Sequence, residues 1–128
     1  MIVLGEIGSK KVSSDLRKLI KDIKDCLSCG AWEVMLEVAE LCKNDRFKSE
    51  VAKAIFQEID IAKIIFELPG PWIPKITVSD IYSLQSWLID NLGSEVNIAN
   101  VDPYEVLCLA SERTNLGPHM KFSYYTRR

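Results

Sequence analysis

Glu33-Val34-Met35-Leu36-Glu37-Val38 decides how this chain is read. It is too short for a helix, rich in apolar and β-branched residues, and preceded by Cys29-Gly30, a helix-ending signal. Similar runs occupy residues 2–7 (IVLGEI), 63–68 (KIIFEL) and 95–99 (EVNIA). They begin at residues 2, 33, 63 and 95, about 30 apart. Nearly unbroken apolar content predicts strands covered on both faces, as in a parallel sheet.

A helical pattern follows each run. In the first, Ser13 or Ser14 can cap, and Leu16, Leu19, Ile20, Ile23, Cys26 and Leu27 recur at helical spacing. Arg17, Lys18, Lys21 and Lys24 form its solvated face, and Gly30 ends it. Phe47, Val51, Ile55 and Ile59, four apart, predict the second helix. The third starts near Ser79, carries Ile81, Leu84, Leu88 and Leu92, and stops at Gly93. Asp102-Pro103 opens the fourth, as N-cap and first helical residue. The order β-α repeated four times predicts an α/β fold of right-handed parallel units. Four such units make a small open sheet or half of an eight-unit barrel, which usually needs about 250 residues.

Composition excludes several classes. The chain has 128 residues, a formal net charge of −2, 48% hydrophobic and 27% charged residues, as in ordinary globular domains. No apolar run approaches the ~18 residues of a membrane span. The mixed, mildly acidic charge carries no nucleic-acid footprint. Residues 1–4 are apolar without a basic segment before them, so they do not read as a secretory signal, and a cytoplasmic location is expected. Cys26, Cys29, Cys42 and Cys108 are then expected as free thiols. Cys26-Leu27-Ser28-Cys29 has metal or redox spacing, but it lacks a second ligand pair and sits at a helix end, which favours packing. Trp32, Met35 and Trp87 are expected in the core.

In parallel α/β folds, chemistry sits at the carboxyl ends of the strands. Glu6, Glu37 and Glu67 close the first three strands, and Asn97 and Asn100 lie in and after the fourth. Three equivalent carboxylates suit a hard cation; on spacing alone they suit strand capping or lysine pairing equally. Gly8-Ser9-Lys10-Lys11 follows the first strand, where a lysine can act as a base or hold an anion, although a solvated loop fits as well. Pro69-Gly70-Pro71-Trp72-Ile73-Pro74 predicts a stiff surface connection.

Beyond these patterns, the chain resembles the second half of the phosphosulfolactate synthase family. The resemblance rests on Leu4-Gly5-Glu6-Ile7-Gly8-Ser9-Lys10, Cys29-Gly30-Ala31-Trp32-Glu33-Val34-Met35-Leu36-Glu37 and Ile59-Asp60-Ile61-Ala62-Lys63-Ile64-Ile65-Phe66-Glu67. It continues through Leu84-Gln85-Ser86-Trp87-Leu88-Ile89 and Gly93-Ser94-Glu95-Val96-Asn97-Ile98-Ala99-Asn100-Val101. It implies the C-terminal half of a TIM (βα)₈ barrel, with residues 1–117 as a (βα)₄ half-barrel and 118–128 as a tail. It also implies a lyase making phosphosulfolactate, a coenzyme M precursor, by magnesium-dependent addition of sulfite to phosphoenolpyruvate. By the same resemblance Lys10 is the catalytic lysine, Glu6, Glu37 and Glu67 hold Mg²⁺, and Asn97, Asn100 and Arg113 bind substrate.

Ala39 stands where the family has an arginine, and Gly117-Pro118-His119-Met120 replaces its arginine-glycine-aspartate-threonine stretch. The alternative is a non-catalytic relative with a binding, structural or stress-related role. The open sheet edges of a half-barrel predict a homo-oligomer or pairing with a separate N-terminal half-barrel. Neither nucleic acid nor membrane is expected as a partner.

Overall fold

A computed structural model describes residues 1–8, 15–43, 46–70 and 76–116. Strand β1 (Leu4–Ile7) leads to helix α1 (Leu16–Ser28), and strand β2 (Glu33–Glu37) follows. A 3-10 turn over Val38–Leu41 enters a short hairpin of β3 (Cys42–Lys43) and β4 (Arg46–Phe47). Helix α2 (Ser49–Glu58), strand β5 (Ile64–Glu67) and helix α3 (Val78–Leu92) come next. Strand β6 (Asn97–Ala99), a 3-10 turn over Pro103–Glu105 and helix α4 (Val106–Arg113) complete the described chain. The four principal strands form one parallel sheet in the order β1-β2-β5-β6. This is the α/β architecture of half a TIM barrel. Among the described residues, no helix is long and apolar enough to cross a membrane.

The register assigns the two faces. Val34 aligns with Gly5 and Ile64, and Leu36 with Ile7 and Phe66. These positions lie under the helices, where Val34, Leu36, Ile64 and Phe66 are fully buried with Leu19, Ile23, Ile55 and Leu88. Phe66 meets Phe56 edge-on, with ring centroids 5.7 Å apart and planes at 81°. The alternate positions Leu4, Glu6, Met35, Glu37, Ile65, Glu67 and Asn97 share the opposite face, which carries no helix among the described residues. A strand's two-residue period therefore separates core from candidate site.

Local chemistry sets the helix ends. Gly30, at φ 97°, lets α1 close with Gly30 N–H on Leu27 O and Ala31 N–H on Cys26 O. This pairing is the Schellman arrangement, and it aims the chain into β2. Thr77 caps α3 in a reciprocal box with Asp80, two residues before the expected Ser79. The Thr77 hydroxyl and N–H both donate to Asp80, which holds that carboxyl below its ordinary range.

Several expectations need correction. Phe47 lies in β4 and Ile59 is the residue ending α2, so only Val51 and Ile55 of that predicted stripe are helical. Lys48 N–H donates to Leu41 O at 2.8 Å, which spans the hairpin and delays the helix. The fourth strand begins at Asn97, because residues 93–96 form a turn with Val96 N–H on Gly93 O. Trp32 is 57% exposed. It lies under Lys63, whose Nζ sits 4.7 Å from the ring centroid and also donates to Trp32 O. A cation–π contact thus replaces the core packing expected there. Cys26 packs on Gly5 of β1, and Cys26, Cys29 and Cys108 are free thiols. Ser13, Ser14, Pro71, Trp72, Pro74 and the tail lie outside the described residues.

The α3–α4 contact is polar. Glu112 accepts hydrogen bonds from buried Gln85 and from Ser86. Burial first, then the hydrogen bond and charge of Glu112, push the Tyr82 phenol up to about 12. A raised folded pKa favours the protonated folded state. Stability is therefore whole below the unfolded phenol value of about 10 and falls as pH rises toward about 12. Tyr82→Phe is expected to flatten that decline in urea melts between these limits; an unchanged slope would exclude Tyr82 as its source.

Candidate metal centre

The three strand-end glutamates converge. Oxygens of Glu6, Glu37 and Glu67 all lie within 4.8 Å of one another. Glu37 and Glu67 are paired across β2 and β5, while Glu6 aligns with Met35, one residue pair lower. Their side chains nevertheless meet because all three stand on the helix-free face. Glu37 and Glu67, on central strands, are half-buried; Glu6, on the edge strand, is exposed. Carboxylates this close repel each other, and a hard cation offsets the repulsion while taking oxygen ligands.

Gly8 gives Glu37 its place. A Cβ at Gly8 would fall 2.6 Å from both Cγ and Cδ of Glu37 and 2.8 Å from one of its oxygens. The bare glycine thus leaves the cradle in which the Glu37 carboxylate rests. Gly8→Ala is expected to displace that carboxylate while costing little stability, because Glu37 is a flexible side chain that can yield. A lower Mn²⁺ affinity in calorimetry at nearly unchanged melting temperature would show this; unchanged affinity would refute it.

The other predicted residues divide. Asn97 is half-buried on the same face, level with Ile65 and one layer beneath Glu67. Asn100 reaches the same end of the sheet, but its Nδ2 donates to Leu68 O at 2.7 Å. Its backbone has φ 61°, a conformation asparagine tolerates better than most residues. In this structure Asn100 ties the end of β6 to that of β5. Arg113 lies at the opposite end of the sheet. Its guanidinium donates to Ser94 O and to Val96 O, ahead of β6, so it is not brought together with the glutamates. Lys10 falls outside the described residues.

Two features escaped the sequence reading. Glu40, in the turn after β2, is only 5% exposed at the site's end of the sheet. The second acid of Glu37-Val38-Ala39-Glu40 was the available signal. The Gly8–Glu37 contact had no sequence signal, because it joins different strands.

Comparison with known proteins supplies independent information. The family model described as (2R)-phospho-3-sulfolactate synthase matches residues 1–117. The chain is similar to phosphosulfolactate synthase of Bacillus subtilis (strain 168), with 28% identity over 127 residues. That match covers 90% of this chain and 46% of the relative, so the chain spans under half the relative's length.

Proposed function

The chain belongs to the (2R)-phospho-3-sulfolactate synthase family, and on that premise we propose that its carboxylate cluster serves carbon–sulfur bond formation. The observation carrying this reading is the convergence of Glu6, Glu37 and Glu67 within 4.8 Å at the carboxyl ends of the strands. Three oxygen donors, one in a glycine cradle, fit a hard divalent cation, with Mg²⁺ the proposed ion. Bound there, the ion would supply positive charge against the phosphate and carboxylate of phosphoenolpyruvate.

In the proposed reaction, a sulfur lone pair of sulfite forms the C–S bond at the methylene carbon. The double-bond pair moves to the carbon bearing phosphate, and Lys10 delivers a proton there. The addition is redox-neutral and releases no group. Asn97 would orient the substrate from the layer beneath the glutamates. The role of Arg113 would be to hold the turn before β6, and that of Asn100 to join two strand ends. We place this chemistry in the cytoplasm, feeding coenzyme M synthesis, inside a barrel completed by a partner.

Incubation with phosphoenolpyruvate, sulfite and Mg²⁺, followed by phosphorus NMR, is expected to yield phosphosulfolactate. Phosphoenolpyruvate should also raise the melting temperature only when Mg²⁺ is present, since a ligand of the native state stabilises it. No product from any oligomeric form, together with no thermal shift, would overturn the reading.

A further inference from the structure

We infer that Arg113 is a positioning residue for the site: its guanidinium fixes the register of β6 and thereby sets Asn97 where substrate is met. The inference rests on the functional reading above, in which Asn97 orients phosphoenolpyruvate, and deepens it. Arg113 lies at the other end of the sheet from the glutamates, yet its grip reaches the strand that carries Asn97. Its Nη2 donates to Val96 O at 2.7 Å, and its Nη1 donates to Ser94 O. The Val96 carbonyl belongs to the peptide unit that joins Val96 to Asn97. The guanidinium therefore holds the backbone at the point where it enters the strand.

A strand this short gains from such a hold. It is three residues long and aligns Asn97 with Ile65, Ile98 with Phe66 and Ala99 with Glu67. Val96 and Ile98 fall on the helix side, where Val96 is buried and Ile98 packs against the core. Asn97 falls on the site face, level with Ile65. A slip of one residue would exchange these faces and carry the amide away from the glutamates. The other end of the strand is tied separately: Asn100 Nδ2 donates to Leu68 O, and Leu68 N–H donates to Ala99 O at 3.1 Å.

Arg113 is itself held in place. Its neighbour Glu112 accepts from Gln85 and Ser86 of α3, which fixes the last turn of α4 against that helix. A planar guanidinium grips two carbonyls at once, whereas an ammonium is a single point of charge. Truncating it deprives the Ser94 and Val96 carbonyls of a charged donor, in a turn that Val96 N–H on Gly93 O also closes. Glu6, Glu37 and Glu67 stand on β1, β2 and β5, so the proposed metal ligands should not feel the change.

Titration calorimetry is expected to separate the two halves of the site. Arg113→Ala should weaken phosphoenolpyruvate binding to the Mn²⁺-loaded protein at least tenfold, with the affinity for Mn²⁺ alone unchanged within twofold. Arg113→Lys should fall between wild type and Arg113→Ala, and it serves if the alanine variant misfolds. On an Asn97→Ala background, Arg113→Ala should cost nothing further. In the metal-free protein, Arg113→Ala should shift the NMR signal of the Asn97 side-chain amide. Ile55→Val, a truncation in the core under α2, should leave that signal in place. An unmoved Asn97 signal, a matching loss of Mn²⁺ affinity, or additive losses in the double variant would overturn the inference. A shifted signal with phosphoenolpyruvate binding indifferent to Asn97→Ala upholds the clamp and removes the functional reading of Asn97. Binding that needs Asn97 but not Arg113, with the signal unmoved, does the reverse.

Discussion

Glu37→Gln lowers Mn²⁺ affinity by about ten- to a hundredfold, the range seen when groups supporting a metal site are removed. Glu37 is chosen because it is the central member of the trio. It is flanked by Glu67 on β5 and faces Gly8 after β1. The amide keeps the side chain's size and removes one negative charge, so the cradle is preserved while the attraction is weakened. Glu6→Gln should cost less, since Glu6 is solvent-exposed and its charge is better screened. Titration calorimetry with Mn²⁺ measures both. Equal affinity in wild type and Glu37→Gln would show that the convergence of the three carboxylates is strand capping and not a metal site. Melting curves serve as the control, because relief of repulsion among the carboxylates should leave the metal-free variant at least as stable as wild type.

Phe66→Ala destabilises the fold by about 3–5 kcal/mol, the usual cost of deleting a buried phenylalanine. Domains of this size are stable by only about 5–15 kcal/mol, so the loss is a large share of the whole. Phe66 is fully buried at the middle of β5, aligned with Leu36 on one side and Ile98 on the other. Removing the ring leaves a cavity between sheet and helices and takes away the edge-on contact with Phe56. Phe66→Leu should recover most of the loss. Urea denaturation followed by circular dichroism gives both values. A cost under 1 kcal/mol would mean that the helices are not packed on this face as described. Because Phe66 precedes Glu67, metal affinity should fall with stability in Phe66→Ala, whereas Gly8→Ala should separate the two.

Most of the architecture was legible because its signals are local. Strand runs at a 30-residue spacing, the Gly30 and Gly93 stops and the Asp102-Pro103 start depend on residues close in sequence. The structure places all of these at element ends. Phe47 misled because its spacing from Val51 and Ile55 fits a helix, while Leu41 accepts the Lys48 N–H across a hairpin. Trp32 misled because size and apolarity predict burial, whereas its position ahead of β2 offered only the Lys63 ammonium and solvent. The expected role of Arg113 comes from resemblance; in the structure its fork donates to two carbonyls at the other end of β6, which no local pattern signals.

The sequence by itself determined the order of four βα units, the parallel sheet and the three glutamates closing its strands. Each follows from periodicity and from capping chemistry acting within a few residues. Only the tertiary structure decided that those glutamates meet, that Gly8 makes room for Glu37, and that Asn100 and Arg113 bind backbone. Those outcomes depend on strand register and side-chain direction between segments 30 or more residues apart in the case of the glutamates. Pairing across such distances is set by packing the whole core at once, which no local pattern encodes.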